Sequence, residues 1–232
     1  MGRDARLNYS GLVYHVVNRG NDRQVIFAEP EDYRHYLNTI QRYKKKYRFQ
    51  LFAYCLMTNH VHLLIKTSES GSISRIMQSI TVAHTRRYNF KYRRCGHVWQ
   101  GRFHSPIVSE DGHMLTVMQY IEQNPLRARM VRDVVDYHWS SYGLNVRIRE
   151  SVLIDRNDNK VFENLGGNLM ERIYNYRQKM AQEIAAKELD KIQYGTRKRG
   201  NYISEKFKDQ IAFLLPRRKE RGRPRSRELC HK

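Results

Sequence analysis

Cysteine is scarce in this 232-residue chain. Cys55, Cys95 and Cys230 are the only three, and no two have a paired spacing. A set this sparse and odd excludes a cysteine-built zinc framework and fits a reducing compartment. Long apolar runs are also missing. None approaches the roughly 20 residues a membrane-spanning helix needs, and Met1-Gly2-Arg3-Asp4-Ala5-Arg6 leads into a strand-like segment without the apolar core of a signal peptide. Negative charge is the third shortage. There are 23 Asp and Glu against 43 Lys and Arg, a formal net charge of +20. A surplus that large opposes compaction unless an anionic partner offsets it, which points to nucleic acid rather than to a membrane.

Hydrophobic periodicity organises the first 145 residues. Leu12 to Asn18 is β-branched and aromatic and ends at the turn cluster Arg19-Gly20-Asn21-Asp22. Glu29-Pro30-Glu31-Asp32 opens a helix that carries Tyr33, Tyr36, Leu37, Ile40 and Tyr43 at helical spacing. Phe49–Met57 and His60–Thr67 read as strands joined by Thr58-Asn59, and Ser72 to about Tyr92 as a long helix. A short strand at Ile107-Val108 follows. Asp111 then caps a helix running to Asn124, where Pro125 is expected to end it. The order β-α-β-β-α-β-α predicts an α+β, ferredoxin-like antiparallel sheet with helices packed on one face. Residues 146–160 read as a polar linker, and Leu169–Ile192 as one helix. The division expected is a domain over 1–145, a linker and helical segment over 146–196, and a basic tail over 197–232, where 13 Lys and Arg face 4 Asp and Glu.

Two motifs far apart in sequence carry the chemistry. In His60-Val61-His62 the histidines sit at i and i+2 of a strand, share a face and suit chelation of one metal ion. Spacing alone is equally compatible with two ordinary strand histidines. In Tyr120-Ile121-Glu122-Gln123-Asn124-Pro125, Tyr120 and Asn124 share a helix face at i and i+4, apart from the stripe of Met114, Val117, Met118 and Ile121. If strand and helix pack, two imidazoles and an amide oxygen surround a metal beside a phenol. That set suits attack on a phosphodiester with covalent capture of the cut end. Tyr88 and Tyr92, on the other long helix, are competing nucleophiles.

Trp99-Gln100-Gly101-Arg102-Phe103 admits two readings, a hairpin with a buried Trp or a loop that stacks an unpaired base on Trp99 while Arg102 holds phosphate. Arg75, Arg86 and Arg87 are further candidates for phosphate contact. In the tail, Arg221, Arg223 and Arg225 within Arg-Gly-Arg-Pro-Arg fit an A·T-rich minor groove. A non-catalytic DNA-binding module is one rival reading. An RNA-binding sheet with Tyr14 and Tyr54 exposed is another.

Met57-Thr58-Asn59-His60-Val61-His62-Leu63-Leu64, Gly96-His97-Val98-Trp99-Gln100-Gly101-Arg102-Phe103 and Tyr120-Ile121-Glu122-Gln123-Asn124-Pro125 together resemble the REP-associated tyrosine transposases, over about residues 8–145. The resemblance implies a ferredoxin-like HUH domain in which His60 and His62 bind Mg²⁺ or Mn²⁺. Asn124 falls at the third metal position, a glutamine in insertion-sequence transposases, and Tyr120 is the nucleophile. It implies a cytoplasmic, nucleoid-associated bacterial protein that cuts single-stranded DNA beside a palindromic hairpin, leaving a 5′-phosphotyrosine and a 3′-OH. Monomer and homodimer both remain open.

Overall fold

The computed structural model describes residues 9–198 and 201–212, so Arg221, Arg223 and Arg225 lie outside the described residues. Strands β1 (Val13–Arg19), β2 (Gln50–Met57), β3 (His60–Lys66) and β4 (Ile107–Val108) form one antiparallel sheet in the order β2-β3-β1-β4. Helices α1 (Pro30–Tyr47) and α2 (Ile73–Lys91) fill the β1–β2 and β3–β4 connections. Both helices begin where expected, each with a side-chain cap. Asp32 Oδ2 accepts from the Glu29 and Ala28 amides at 3.0 and 2.9 Å, with Pro30 in the first turn, and Ser72 Oγ accepts from the Arg75 amide.

Strand alternation divides the core in two. From β3, Val61, Leu63 and Ile65 join Tyr14, Val16, Leu51, Tyr54 and Leu56 against α1 and α2. Leu64 joins Val13, Phe52, Ala53 and Cys55 on the other side, against Met114, Val117, Met118 and Ile121 of α3 (Gly112–Glu122). The antiparallel α+β sheet is as expected, but helices cover both faces rather than one. The reason lies in the sequence of β2, whose residues are apolar on both faces, with Leu64 of β3 beside them; a sheet of that kind needs a layer on each side. Tyr14 and Tyr54, at 0 and 1 % exposure, are core residues and present no stacking surface.

The second layer continues past residue 145. Helices α4 (Asn124–Arg127), α5 (Tyr142–Asn145), α6 (Lys160–Glu163), α7 (Leu169–Ala181) and α8 (Ala186–Lys198) lead to α9 (Glu205–Gln210). Phe162, Ile173, Tyr176, Met180 and Ile192 bury against the same cluster as α3. Residues 146–160 are held to the body as well. Val146 and Leu153 are buried, the Leu51 amide donates to Asp155 Oδ2 at 2.7 Å, and Lys44 pairs with Asp155 at 2.7 Å. The single helix expected over Leu169–Ile192 is two, α7 and α8. At the break the Gln182 carbonyl accepts from the side-chain amides of Gln119 and Gln123, at 2.7 and 2.9 Å.

Both sheet edges are covered. Ser140 bridges Cys55 beside β2, and Tyr202 bridges Val108 beside β4. The β2–β3 turn, Thr58-Asn59, is pinned from outside, since the Ile26 and Phe27 amides donate to the Thr58 carbonyl and the Gly20 amide to Asn59 O. Gly20 is required by this approach, because a Cβ there would lie 2.5 Å from the Gln24 carbonyl oxygen. The turn fixes the start of β3, and with it His60.

Candidate active site

β3 brings His60 and His62 to the α3 side of the sheet, with ring centroids 5.1 Å apart. His60 faces Arg19 across the ladder and His62 faces Val17. A neighbour engages each Nδ1. His60 Nδ1 donates to Asn59 Oδ1 at 2.6 Å. His62 Nδ1 shares a hydrogen bond with Nε2 of buried His15, from β1, at 3.0 Å. That pattern leaves the Nε2 lone pair of His60 free, and frees that of His62 in the tautomer whose Nδ1 donates to His15, the role that outer partners of metal-binding histidines commonly play. Burial holds all three imidazoles neutral. It pushes His60 to about 4, with Arg19 adding to the effect, and His15 to about 3, with Arg127 adding. His62 lies well below its ordinary value through burial and then the neighbouring His60 and His15. Neutral imidazole is the form that ligates metal.

Tyr120 comes from α3, its ring edge-on to both His62 and His15, with centroids 5.8 and 5.7 Å apart. α3 stops at Glu122, two residues earlier than expected. Asn124 opens α4, and Pro125 falls in that helix's first turn instead of ending the previous one. Across the junction Asn124 Nδ2 donates to the Tyr120 and Ile121 carbonyls at 3.0 and 3.2 Å. Its donor end is thereby spent on the helix, and the oxygen is the end available to a ligand. Arg127 stacks over the Tyr120 ring, 4.2 Å from the centroid, and its guanidinium donates to the Tyr120 carbonyl. The phenol is therefore held from two sides.

These side chains open into one cleft of about 480 Å³. His60, His62, Tyr120 and Asn124 form its floor, Arg19, Gln100, Arg102 and His104 its rim, and Gln193 and Thr196 of α8 one wall. Among the described residues no cluster of three His, Cys, Asp or Glu forms a metal site. Two imidazole nitrogens and an amide oxygen make the donor set, and it fits a divalent cation that keeps open positions for water and phosphate oxygens.

Of the sequence candidates, His60, His62, Tyr120, Asn124 and Arg102 meet here. Arg75, Arg86 and Arg87 do not. They lie on α2, across the sheet, and Arg87 pairs with Glu31. Trp99 is spent on packing rather than offered to a base. Its indole NH donates to Thr81 O at 3.3 Å, and its ring lies against His84 and Tyr36. Of the rival nucleophiles, Tyr88 donates to Val25 O and Tyr92 to Asp32 Oδ2, both at 2.6 Å and away from the cleft. Sequence reasoning missed His15, Arg19, Arg127, Gln193 and Thr196. For His15 there was a signal, since it shares the β1 alternation with Val13 and Val17 and so points to the α3 side. Gln193 and Thr196 gave none, because contact with the cleft depends on how α8 returns over α3.

The family model for IS200-like transposases matches residues 8–124. The chain belongs to that family. Among curated proteins, the chain is 29 % identical over 112 residues to a Haemophilus influenzae protein named as a REP-associated tyrosine transposase, covering 44 % of this chain and 63 % of that one. The chain thus spans somewhat under two thirds of that relative's length. Among solved structures, a REP-associated tyrosine transposase bound to a REP hairpin aligns with TM-score 0.55 and 16 % identity, over 67 % of this chain and 98 % of the other. That match carries the fold. A Deinococcus radiodurans protein described as a transposase aligns over 53 % of this chain and 95 % of its own, with TM-score 0.38 and 21 % identity.

Proposed function

We propose that this transposase is a metal-dependent, site-specific single-stranded DNA endonuclease and strand transferase acting at palindromic hairpins through a 5′-phosphotyrosine. The observation that carries the reading is the meeting of Tyr120 with His60, His62 and Asn124 in one cleft, from a strand and a helix far apart in sequence. His60, His62 and Asn124 would hold Mg²⁺ or Mn²⁺, which would supply a Lewis acid for the scissile phosphate. Tyr120 Oη attacks phosphorus and gives its proton to solvent. The bond to the 3′ oxygen breaks, leaving a 3′-OH and the 5′ end on the enzyme. Attack by a 3′-OH on the phosphotyrosine reverses the step and rejoins strands without a nucleotide cofactor. Tyr120 and the histidines meet within one chain, which supports action in cis, by a monomer or by each subunit of a homodimer. The hairpin-bound structural relative supports a hairpin as the substrate. A chromosomal hairpin substrate supports a bacterial cytoplasmic protein associated with the nucleoid.

Covalent trapping tests the reading. End-labelled single-stranded hairpin DNA is incubated with protein and Mn²⁺ or EDTA, then resolved on a denaturing gel. A shifted band that requires metal and is lost in Tyr120→Phe and His60→Ala is the expected result. The Tyr120→Phe rate should fall by about 10⁴-fold or more, since the nucleophile itself is gone. A band that survives Tyr120→Phe assigns the chemistry to another residue. Tight hairpin binding with no band under any condition favours the binding-only module.

A further inference from the structure

We propose that Arg19 binds the scissile phosphate, and that its charge makes divalent metal and the DNA strand bind this cleft cooperatively. The inference rests on the cleavage reading above and deepens it. Arg19 ends β1 directly opposite His60 in the ladder, on the face that carries both histidines, and it lines the same cleft. Its side chain is exposed, and no ion pair or side-chain hydrogen bond engages its guanidinium among the described residues. Its backbone carbonyl accepts from the Gln100 amide at 2.9 Å, which ties the loop bearing Arg102 to the same rim.

Charge gives the rim its meaning. Arg19 and Arg102 line the cleft, Arg127 is stacked behind Tyr120, and no carboxylate is among the lining residues. The field at the histidines is therefore positive before any cation arrives, and Arg19, paired with His60 across the ladder, is a source of it beside them. A dication held by neutral imidazoles and an amide, beside fixed positive charge, is held weakly. A phosphodiester reverses the balance. Its non-bridging oxygens offer one face to the guanidinium and another to the metal, so each bound partner strengthens the other, and by linkage the gain is the same in both directions.

Two opposite-signed effects follow from one substitution. Mn²⁺ affinity is measured by electron paramagnetic resonance with and without single-stranded hairpin DNA, in a Tyr120→Phe background that keeps the DNA intact. DNA is expected to tighten Mn²⁺ binding about tenfold. Arg19→Ala should tighten Mn²⁺ binding to DNA-free protein by about threefold and shrink the gain that DNA brings. With Tyr120 restored, the same substitution should slow adduct formation about 100-fold, and Arg19→Lys should recover part of it. A residue that merely supports the fold would weaken metal binding in both states. Unchanged or weakened Mn²⁺ binding in DNA-free Arg19→Ala protein overturns the proposal, as does absence of coupling in the parent. Coupling that is present and Arg19-dependent, in a protein that forms no adduct, upholds this assignment and removes only the cleavage reading.

Discussion

β3 has two characters, one on each face. Toward α1 and α2 it presents Val61, Leu63 and Ile65, all fully buried in an apolar cluster. Toward α3 it presents His60 and His62, and only Leu64 between them and the strand's end is apolar. The α1/α2 side is held by non-directional burial and ring packing, such as Phe27 against Tyr33 and Tyr36. The α3 side near the cleft is held by named hydrogen bonds: His15 to His62, Asn59 to His60, Asn124 to α3. Packing fixes where a strand lies, whereas directional bonds fix which way a ring points. A site that must present two lone pairs at one point needs both, and the pleat lets a single strand receive each from a different side.

The largest separation between the two faces should appear on truncating Leu63. Leu63→Ala removes a fully buried side chain from the apolar side and is expected to cost about 3 kcal/mol, read as a lower midpoint in urea. Adduct formation per folded molecule should stay within about threefold of the parent, because His60 and His62 keep their partners on the other face. Tyr120→Phe should do the reverse, leaving stability within about 1 kcal/mol while the adduct is lost. Loss of activity in folded Leu63→Ala protein would mean that the faces are coupled more tightly than strand geometry implies.

A smaller effect is expected at His15, the outer partner of His62. His15→Phe keeps a ring in the same space and removes the hydrogen bond, so His62 is free to turn or change tautomer. Metal affinity should fall about tenfold or more, with an intact thermal transition, and His15→Gln, which keeps a polar partner, should lose less. Equal affinities in the three proteins would show that His62 is oriented by packing alone.

Much of this was legible in the sequence, for a reason that differs by region. The strand pairs, the Glu29–Asp32 and Asp111 caps and the His60, His62, Tyr120 and Asn124 set depend on local spacing, which a sequence displays directly. Three things depended on contact between distant segments and were not displayed. The second helical layer needed residues 146–192 to fold back, and their polar composition hid the few anchors that matter, Val146, Leu153, Phe162 and Tyr176. The Trp99 segment admitted both a buried ring and a stacking loop, and only the approach of Thr81 from α2 shows the ring packed, with its NH donating to the Thr81 carbonyl. The arginines of α2 looked available for phosphate, but the helix packs on the face away from the cleft.

Glu122 gives the subtlest test, because it is a fully buried carboxyl two residues from Tyr120. It lies at 0 % exposure and accepts from Ser141 Oγ at 2.5 Å, Asn145 Nδ2 at 2.8 Å and Tyr176 OH at 2.8 Å. These bonds join α3, two residues past Tyr120, to α5 and α7. Burial raises its pKa to about 7, against the opposing pull of those three donors. An acid raised on folding binds more protons in the native state, so its contribution to stability is full below about pH 4.5 and is lost as pH rises through about 7. The neutral, buried His15 and His60 act in the opposite sense, since their depressed values cost stability as pH falls below about 6.5. The net profile therefore mixes both signs. Glu122→Gln separates them, because the histidine contributions cancel in the difference between the two proteins. Parent minus variant stability should decline by about 1–3 kcal/mol between pH 5 and 8 and level off above. A flat difference would mean that Glu122 is ionised across the whole range and that Ser141, Asn145 and Tyr176 outweigh its burial.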